Sequence, residues 1–194
     1  MTGSPGPRPA WYRRLPASLQ RIAAASDRVP TVPLRAGPAL CGAVAALPGV
    51  LATGRPRDVE WLAQRIADGV TTALGVPPVR IRVLLQRPPT RGGELYGLYV
   101  PANAGGRDLI KVWMLTAKRG QVVAFRTFLR TLLHEVCHHL DYTLLGLRDS
   151  LHTQGFYQRE SSLFHALDAD AVEPPRPPAR AAAAPRGAPR RSPN

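Results

Sequence analysis

The sequence contains only two cysteines, Cys41 and Cys137, and no apolar run long enough to cross a membrane as a helix. Two thiols exclude a disulfide framework and indicate a reducing compartment, so we expect a cytoplasmic protein. The most apolar stretch, residues 39–52, is short, and the first nine residues are rich in proline and glycine rather than basic. These features predict neither a membrane partner nor a signal peptide. A chain of 194 residues is long enough for one domain with a sizeable core.

Acidic residues are also scarce, with 13 Asp and Glu against 26 Lys and Arg, and the net charge of +13 is unevenly distributed. Residues 1–57 have eight Arg and one acid, and residues 171–194 have five Arg and one acid. Residues 58–170 have a net charge of only +2. Basic flanks are typical of nucleic-acid binding. Because nearly all the basic residues are arginine, GC-rich coding is the alternative explanation.

The same boundaries divide the chain by composition. Residues 171–194 have almost nothing apolar to bury, which predicts a disordered tail. Residues 1–57 are expected to be partly ordered at most, with a short amphipathic helix over residues 11–25 and mostly loop over residues 29–56. Residues 58–170 are predicted to form the folded domain.

Hydrophobic periodicity in residues 58–170 predicts the order helix, three strands and two helices. Asp58 is the predicted N-cap of the first helix. The predicted helices are residues 58–74, 122–145 and 152–167, and the predicted strands are residues 79–86, 94–100 and 109–116. This order indicates an α+β fold with a short mixed or antiparallel sheet.

All five histidines lie between residues 134 and 165, and the stretch from His134 to His138 matches the pattern H-E-x-x-H. Residues four apart are neighbours on a helix, so His134 and His138 can bind one metal ion. Glu135 lies about 100° around the helix axis, where it can reach a water on the metal without being a ligand. The pattern therefore predicts a zinc helix with Glu135 as general base.

The rest of this helix has an apolar side and a polar side, as a cleft-lining helix requires. The apolar stripe, which we expect to face the core, consists of Phe125, Leu129, Leu132, Val136 and Leu140. His134, His138 and Asp141 lie on the opposite side. His139 points about 100° away from His138 and is not expected to be a ligand. Asp141 is predicted to accept a hydrogen bond from an imidazole N–H.

Catalytic zinc has three protein ligands and one open position, so a third ligand must come from beyond this helix. His152 is the best candidate, because the glycine-containing segment before it lets the chain turn back. Glu160 is the alternative third ligand, and His165 is a more distant one. If His152 is the ligand, Glu160 is expected to orient a ligand or to pair with Arg130 or Arg159.

The stretch from His134 to Asp141 (HEVCHHLD), together with residues 150–156 (SLHTQGF), resembles the zincin metallopeptidases, in particular minimal SprT-like domains. In those domains an H-E-x-x-H helix is followed by a histidine a few residues before a phenylalanine. Thr153 stands where the SprT-like pattern has glycine, and a gluzincin-type site with Glu160 as ligand is the alternative. The resemblance implies a cleft strand that pairs with an extended substrate, and residues 109–116 occupy that place in the order of elements.

These observations predict a zinc metallopeptidase, a hydrolase acting on protein or peptide substrates. The zinc ion is expected to lower the pKa of a bound water to about 7 and to polarise the scissile carbonyl, while Glu135 takes the proton. Tyr157 is the predicted oxyanion donor, with Tyr142 and Arg159 as alternatives. The competing hypotheses are a nucleic-acid- or polyanion-associated zinc protein, which the SprT-like resemblance also implies, and a non-catalytic zinc-stabilised module.

Overall fold

The computed structural model describes residues 10–90, 93–102 and 105–167, which form six helices and five strands. The helices are α1 (Ala10–Arg13), α2 (Ala17–Asp27), α3 (Pro38–Ala52), α4 (Pro56–Leu74), α5 (Phe125–Thr143) and α6 (Gln154–Ala166), and the strands are β1 (Arg80–Gln86), β2 (Pro89–Thr90), β3 (Gly93–Glu94), β4 (Gly97–Val100) and β5 (Leu109–Leu115). No helix in these ranges has the length and apolar character needed to span a bilayer. The predicted disordered tail, residues 171–194, lies outside the described residues.

The main sheet is mixed and has three strands in the order β1-β5-β4. The central strand β5 pairs in parallel with β1 and antiparallel with β4, placing Val112 opposite Gly97 and Ile110 opposite Tyr99. Strands β2 and β3 form a separate short hairpin. The predicted α+β class is therefore confirmed, and of the two expected sheet types, mixed or antiparallel, the mixed one is observed. The predicted strand over residues 94–100 is divided between β3 and β4.

Helix α3 is the largest departure from the expected secondary structure. Residues 29–56 were expected to be mostly loop, and this is wrong for Pro38–Ala52. Leu40, Val44 and Leu47 lie on one face and are buried in the core, so packing offsets the low helix propensity of the glycines and the internal proline. A Cβ atom at Gly69 of α4 would lie 3.0 Å from the Leu40 side chain, which shows how closely the two helices approach.

Several predicted helix boundaries are also wrong, each for a local reason. The helix predicted over residues 11–25 is broken at Pro16, because a proline disfavours helical geometry at the residue before it. Helix α4 begins at Pro56 with Arg55 as its N-cap, and Asp58 lies in the first turn, 2.7 Å from the Arg55 guanidinium. Residue Val122, predicted to be helical, instead pairs with Leu115 of β5.

Helix α5 packs its predicted apolar stripe against the sheet. Leu129, Leu132, Val136 and Leu140 are fully buried, whereas Phe125 is partly exposed. Helix α6 then packs against α5, and α2 packs against α6. Residues of α3 and of the segment before it contribute to the same core as residues 58–167. The polar side of α5 therefore faces away from the core, towards β4 and the segment before α6.

The burial of Leu47 predicts that α3 is required for the stability of the whole fold. Leu47→Ala is expected to lower the free energy of unfolding by about 2–5 kcal/mol, because it leaves a cavity in the core. Leu85, whose side chain is 52% exposed on β1, provides the matched control, and Leu85→Ala is expected to cost about 0.5 kcal/mol or less. Urea unfolding of both variants measures the difference, and equal costs would contradict a core role for α3.

Candidate metal centre

Three histidine side chains converge beside α5. His134 and His138 project from the same face of α5, and His152 comes from the segment that precedes α6. The Nε2 atom of His152 lies 3.0 Å from Nε2 of His134 and 3.1 Å from Nε2 of His138. The three histidines are thus close enough to bind one metal ion.

The proton on His138 is located by its outer neighbours. Its Nδ1 atom lies 2.7 Å from the Ser150 hydroxyl oxygen, and that hydroxyl donates to Asp141 Oδ2 over 2.7 Å. Because the serine has a single proton, which it gives to the carboxylate, it accepts the proton of His138 Nδ1. The Nε2 atom of His138 therefore presents a lone pair to the centre.

His134 is oriented in the same way from the other side. Its Nδ1 atom lies 3.1 Å from Glu160 Oε2, so it donates to that carboxylate and leaves its own Nε2 lone pair facing the centre. The other carboxylate oxygen of Glu160 is 3.5 Å from the Arg130 guanidinium. Glu160 is therefore placed to orient His134 and to pair with Arg130. The group of side chains close enough to share a metal ion consists of His134, His138 and His152 and does not include Glu160.

The three converging nitrogens, Nε2 of His134, His138 and His152, are suited to bind a cation. Two of them present lone pairs, and His152 has at most one proton on Nε2, so it cannot satisfy both neighbours by hydrogen bonding. Burial and the neighbouring His134 and His152 lower the pKa of His138 to about 3. Burial and His134 likewise lower the pKa of His152. Neutral imidazole is the form that binds metals, so these lowered pKa values favour metal binding by His138 and His152.

Glu135 lies beside the histidines and is held against strand β4. Its side chain is only 6% exposed. A Cβ atom at Gly97 would lie 2.7 Å from Glu135 Cγ, so a side chain at residue 97 would require the Glu135 side chain to shift from this position. Burial raises the pKa of Glu135 to about 7, opposed by the charge of His134 and by a hydrogen bond from the backbone N–H of Tyr99.

The histidines and Glu135 line a cavity of about 640 Å³ between α5, the segment before α6, and residues 95–101. Strand β4, at the edge of the sheet, forms one wall. The expectation that residues 109–116 form the cleft strand is wrong, because β5 is paired with β1 on one side and with β4 on the other. The edge strand that lines this cavity is β4.

Two other predicted residues lie elsewhere than expected. Asp141 was expected to accept an imidazole proton itself, but Ser150 stands between it and His138. Arg159, an alternative oxyanion donor, is fully buried and pairs with Asp141 at 2.8 Å, so it cannot reach a substrate. Tyr142, the other alternative, lines the cavity.

Tyr157 lies against His152, on the outer side of the three histidines. Its ring is stacked 5.9 Å from the His152 ring, and its side chain is 50% exposed. Tyr157 and His165 line a second cavity, of about 870 Å³, which shares His152 with the first. The oxyanion role of Tyr157 stays a prediction.

Sequence reasoning missed a second hydrogen-bonded group that connects β4 to α5. Buried His139 has Nδ1 2.9 Å from Asp108 Oδ2 and Nε2 2.8 Å from the Pro77 carbonyl oxygen. The Tyr99 hydroxyl donates to the same Asp108 oxygen over 2.6 Å. Burial opposes ionisation of Asp108, but hydrogen bonds from Tyr99, the Ala102 N–H and His139 outweigh it and lower its pKa. No local pattern marks these contacts, which join residues distant in sequence.

Comparison with protein-family models, curated proteins and solved structures found no match to this chain. The resemblance to zincins therefore depends on the motif and on the arrangement of the site residues.

The geometry predicts different outcomes for substitutions of His152 and Glu160. His152→Ala is expected to abolish stoichiometric metal binding, because it removes one of the three converging nitrogens. Glu160→Gln keeps an acceptor for His134 Nδ1 and is expected to weaken binding by about tenfold. Metal content after gel filtration and competition with a chromophoric chelator measure both effects. Loss of metal in Glu160→Gln with retention in His152→Ala would instead support the gluzincin-type ligand set.

Proposed function

We propose that this chain is a zinc-dependent metallopeptidase of the zincin type that hydrolyses peptide bonds in protein or peptide substrates. The observation that carries the proposal is the convergence of three imidazole nitrogens next to a buried carboxylate in the wall of an open cleft. A purely structural zinc site is usually closed by four protein ligands and has no need of a general base. Here three protein ligands and Glu135 face the same cavity.

Zinc is the metal that suits this donor set best. Three neutral imidazoles are borderline ligands, typical of zinc sites with an open position. Zn–N distances of about 2.0–2.1 Å place two nitrogens of a tetrahedral site about 3.3 Å apart. The observed separations of 3.0 and 3.1 Å from His152 to its two neighbours are close to that value. The outer hydrogen bonds to Ser150 and Glu160 are the kind that orient zinc-binding histidines.

The chemistry would be divided between the metal and Glu135. Zinc bound at the three histidines supplies Lewis acidity, which activates a water molecule and polarises a carbonyl. Glu135 takes the proton of the attacking water and returns it to the leaving amine. Its carboxylate is held in place for this by the Tyr99 N–H and by contact with Gly97. A base fixed in this way loses little entropy in the reaction.

The cleft wall suggests how a substrate is held. Strand β4 is an edge strand, and its neighbour β5 pairs with it antiparallel. An extended peptide can add to such an edge through backbone hydrogen bonds, largely independently of its sequence. We therefore propose that the substrate binds as an extended segment along β4, with its scissile carbonyl beside Glu135 and the histidines.

The decisive experiment compares Glu135→Gln with the wild-type chain on an unstructured protein such as casein. The variant is expected to retain bound zinc and to lose cleavage by about 100-fold or more, because the amide cannot accept the proton. Zinc content and peptide release are measured on the same preparations. Absence of zinc from the wild-type chain, or equal cleavage by both proteins, would contradict the proposal.

Gly97 provides a second test that leaves every polar group of the site in place. In Gly97→Ala, the added methyl group is expected to displace the Glu135 carboxylate and to reduce cleavage by about 100-fold, with zinc affinity unchanged. Gly42→Ala is the matched control, because a Cβ atom at Gly42 has no neighbour within 4 Å. Full activity in Gly97→Ala would show that the position of Glu135 does not limit the reaction.

A further inference from the structure

The C-terminal end of α2 contacts the chain immediately after His152. The Gly155 N–H donates to Asp27 Oδ1 over 2.8 Å, and the Ser26 and Thr153 hydroxyl oxygens are 3.0 Å apart. A Cβ atom at Gly155 would lie 2.6 Å from Asp27 Cα, so this approach requires glycine. The end of α2 therefore sits directly on the first turn of α6.

These contacts fix the backbone that carries His152. Thr153 is the N-cap of α6, and its hydroxyl oxygen accepts from the Phe156 N–H over 3.2 Å. Asp27 satisfies a second free N–H of the same turn from outside the helix. A carboxylate at a helix N-terminus is also favoured by the helix dipole. The position of His152, one residue before the cap, thus depends on two residues of α2.

Arg159 connects the same end of α2 to the other side of the metal centre. Its guanidinium donates to the carbonyl oxygens of Ser26 and Val29 over 2.7 and 2.6 Å, and to the Ser26 hydroxyl over 2.8 Å. The Nη2 atom that contacts this hydroxyl also donates to Asp141 Oδ1 over 2.8 Å. Because Asp141 holds Ser150 and Ser150 holds His138, the chain of hydrogen bonds continues from Ser26 to a metal-facing imidazole.

This network is closed to solvent over most of its length. Ser26, Asp141 and Arg159 are 0% exposed, and Thr153 is 1% exposed. Hydrogen bonds in such surroundings are strong, and leaving a member unpaired is costly, so the network resists rearrangement. A change at Ser26 must therefore be transmitted to its partners rather than absorbed by water.

We propose that Ser26 and Asp27 are positioning residues of the metal centre, which couple metal affinity to the docking of α2. They act on His152 through Thr153 and Gly155, and on His138 through Arg159. The proposal rests on the proposed function only in requiring a metal at the three histidines. Residues far upstream of the H-E-x-x-H helix are then part of the apparatus that sets ligand geometry.

The test measures the binding of Zn²⁺ alone, by competition with a chelator, and the visible absorption spectrum of the Co²⁺-loaded chain. Ser26→Ala and Asp27→Ala are expected to weaken Zn²⁺ binding by about tenfold and to alter the Co²⁺ spectrum, which reports ligand geometry. Asp27→Asn keeps an acceptor oxygen for the Gly155 N–H and is expected to restore wild-type affinity. Ser18→Ala, an exposed change of the same kind on the same helix, is the control.

The outcomes distinguish failure of the positioning proposal from failure of the metal site itself. Unchanged affinity and an unchanged Co²⁺ spectrum in Ser26→Ala and Asp27→Ala would overturn the proposal and leave the peptidase function standing. Absence of metal binding by the wild-type chain would instead remove the metal centre itself. Circular dichroism of the metal-free proteins shows that each variant is folded before titration. Should Ser26→Ala fail to fold, the comparison of Asp27→Ala with Asp27→Asn decides.

Discussion

The buried ion pair between Arg159 and Asp141 is the interaction on which the rest of the structure depends. Both side chains are 0% exposed, and the pair joins α5 to α6 while the guanidinium also holds the end of α2. Removing one member of a buried pair costs about 3–5 kcal/mol, because the remaining charge is left uncompensated. Helices α2, α5 and α6 are therefore held together by a contact that is itself connected to the candidate site through Ser150.

The candidate site is supported from two directions, by α6 with the segment before it and by β4. The histidines are oriented by the segment before α6 and by α6 itself, through Ser150 and Glu160. Glu135 is instead positioned by β4, through the Tyr99 N–H and Gly97. The metal-binding and proton-transfer parts of the proposed reaction can therefore be perturbed separately. In the proposed function, this two-sided arrangement would place a substrate between the sheet edge and the helix.

Local patterns predicted the parts of the molecule that depend on neighbours in sequence. Helix α5, its buried stripe and the shared face of His134 and His138 follow from a period of about 3.6 residues. The helix over Pro38–Ala52 did not follow, because its stability comes from packing against α4. Residues 109–116 were wrongly assigned as the cleft strand. Their central place in the sheet depends on the parallel pairing of β5 with β1, which is distant in sequence. Ser150 was missed because an ordinary loop serine acquires its role only from its distant partners.

Two close contacts at this site are made by residues without side chains. Gly97 leaves room for the Glu135 carboxylate, and Gly155 leaves room for the end of α2. Neither residue has a side-chain group that could bind, donate or react, yet each determines where such a group lies. A chain that kept the H-E-x-x-H motif and the third histidine, but had alanine at these two positions, would have the same inventory of reactive atoms in a different arrangement. The space left by the missing side chains of these two glycines is thus a component of this site, and the motif alone does not describe the site fully.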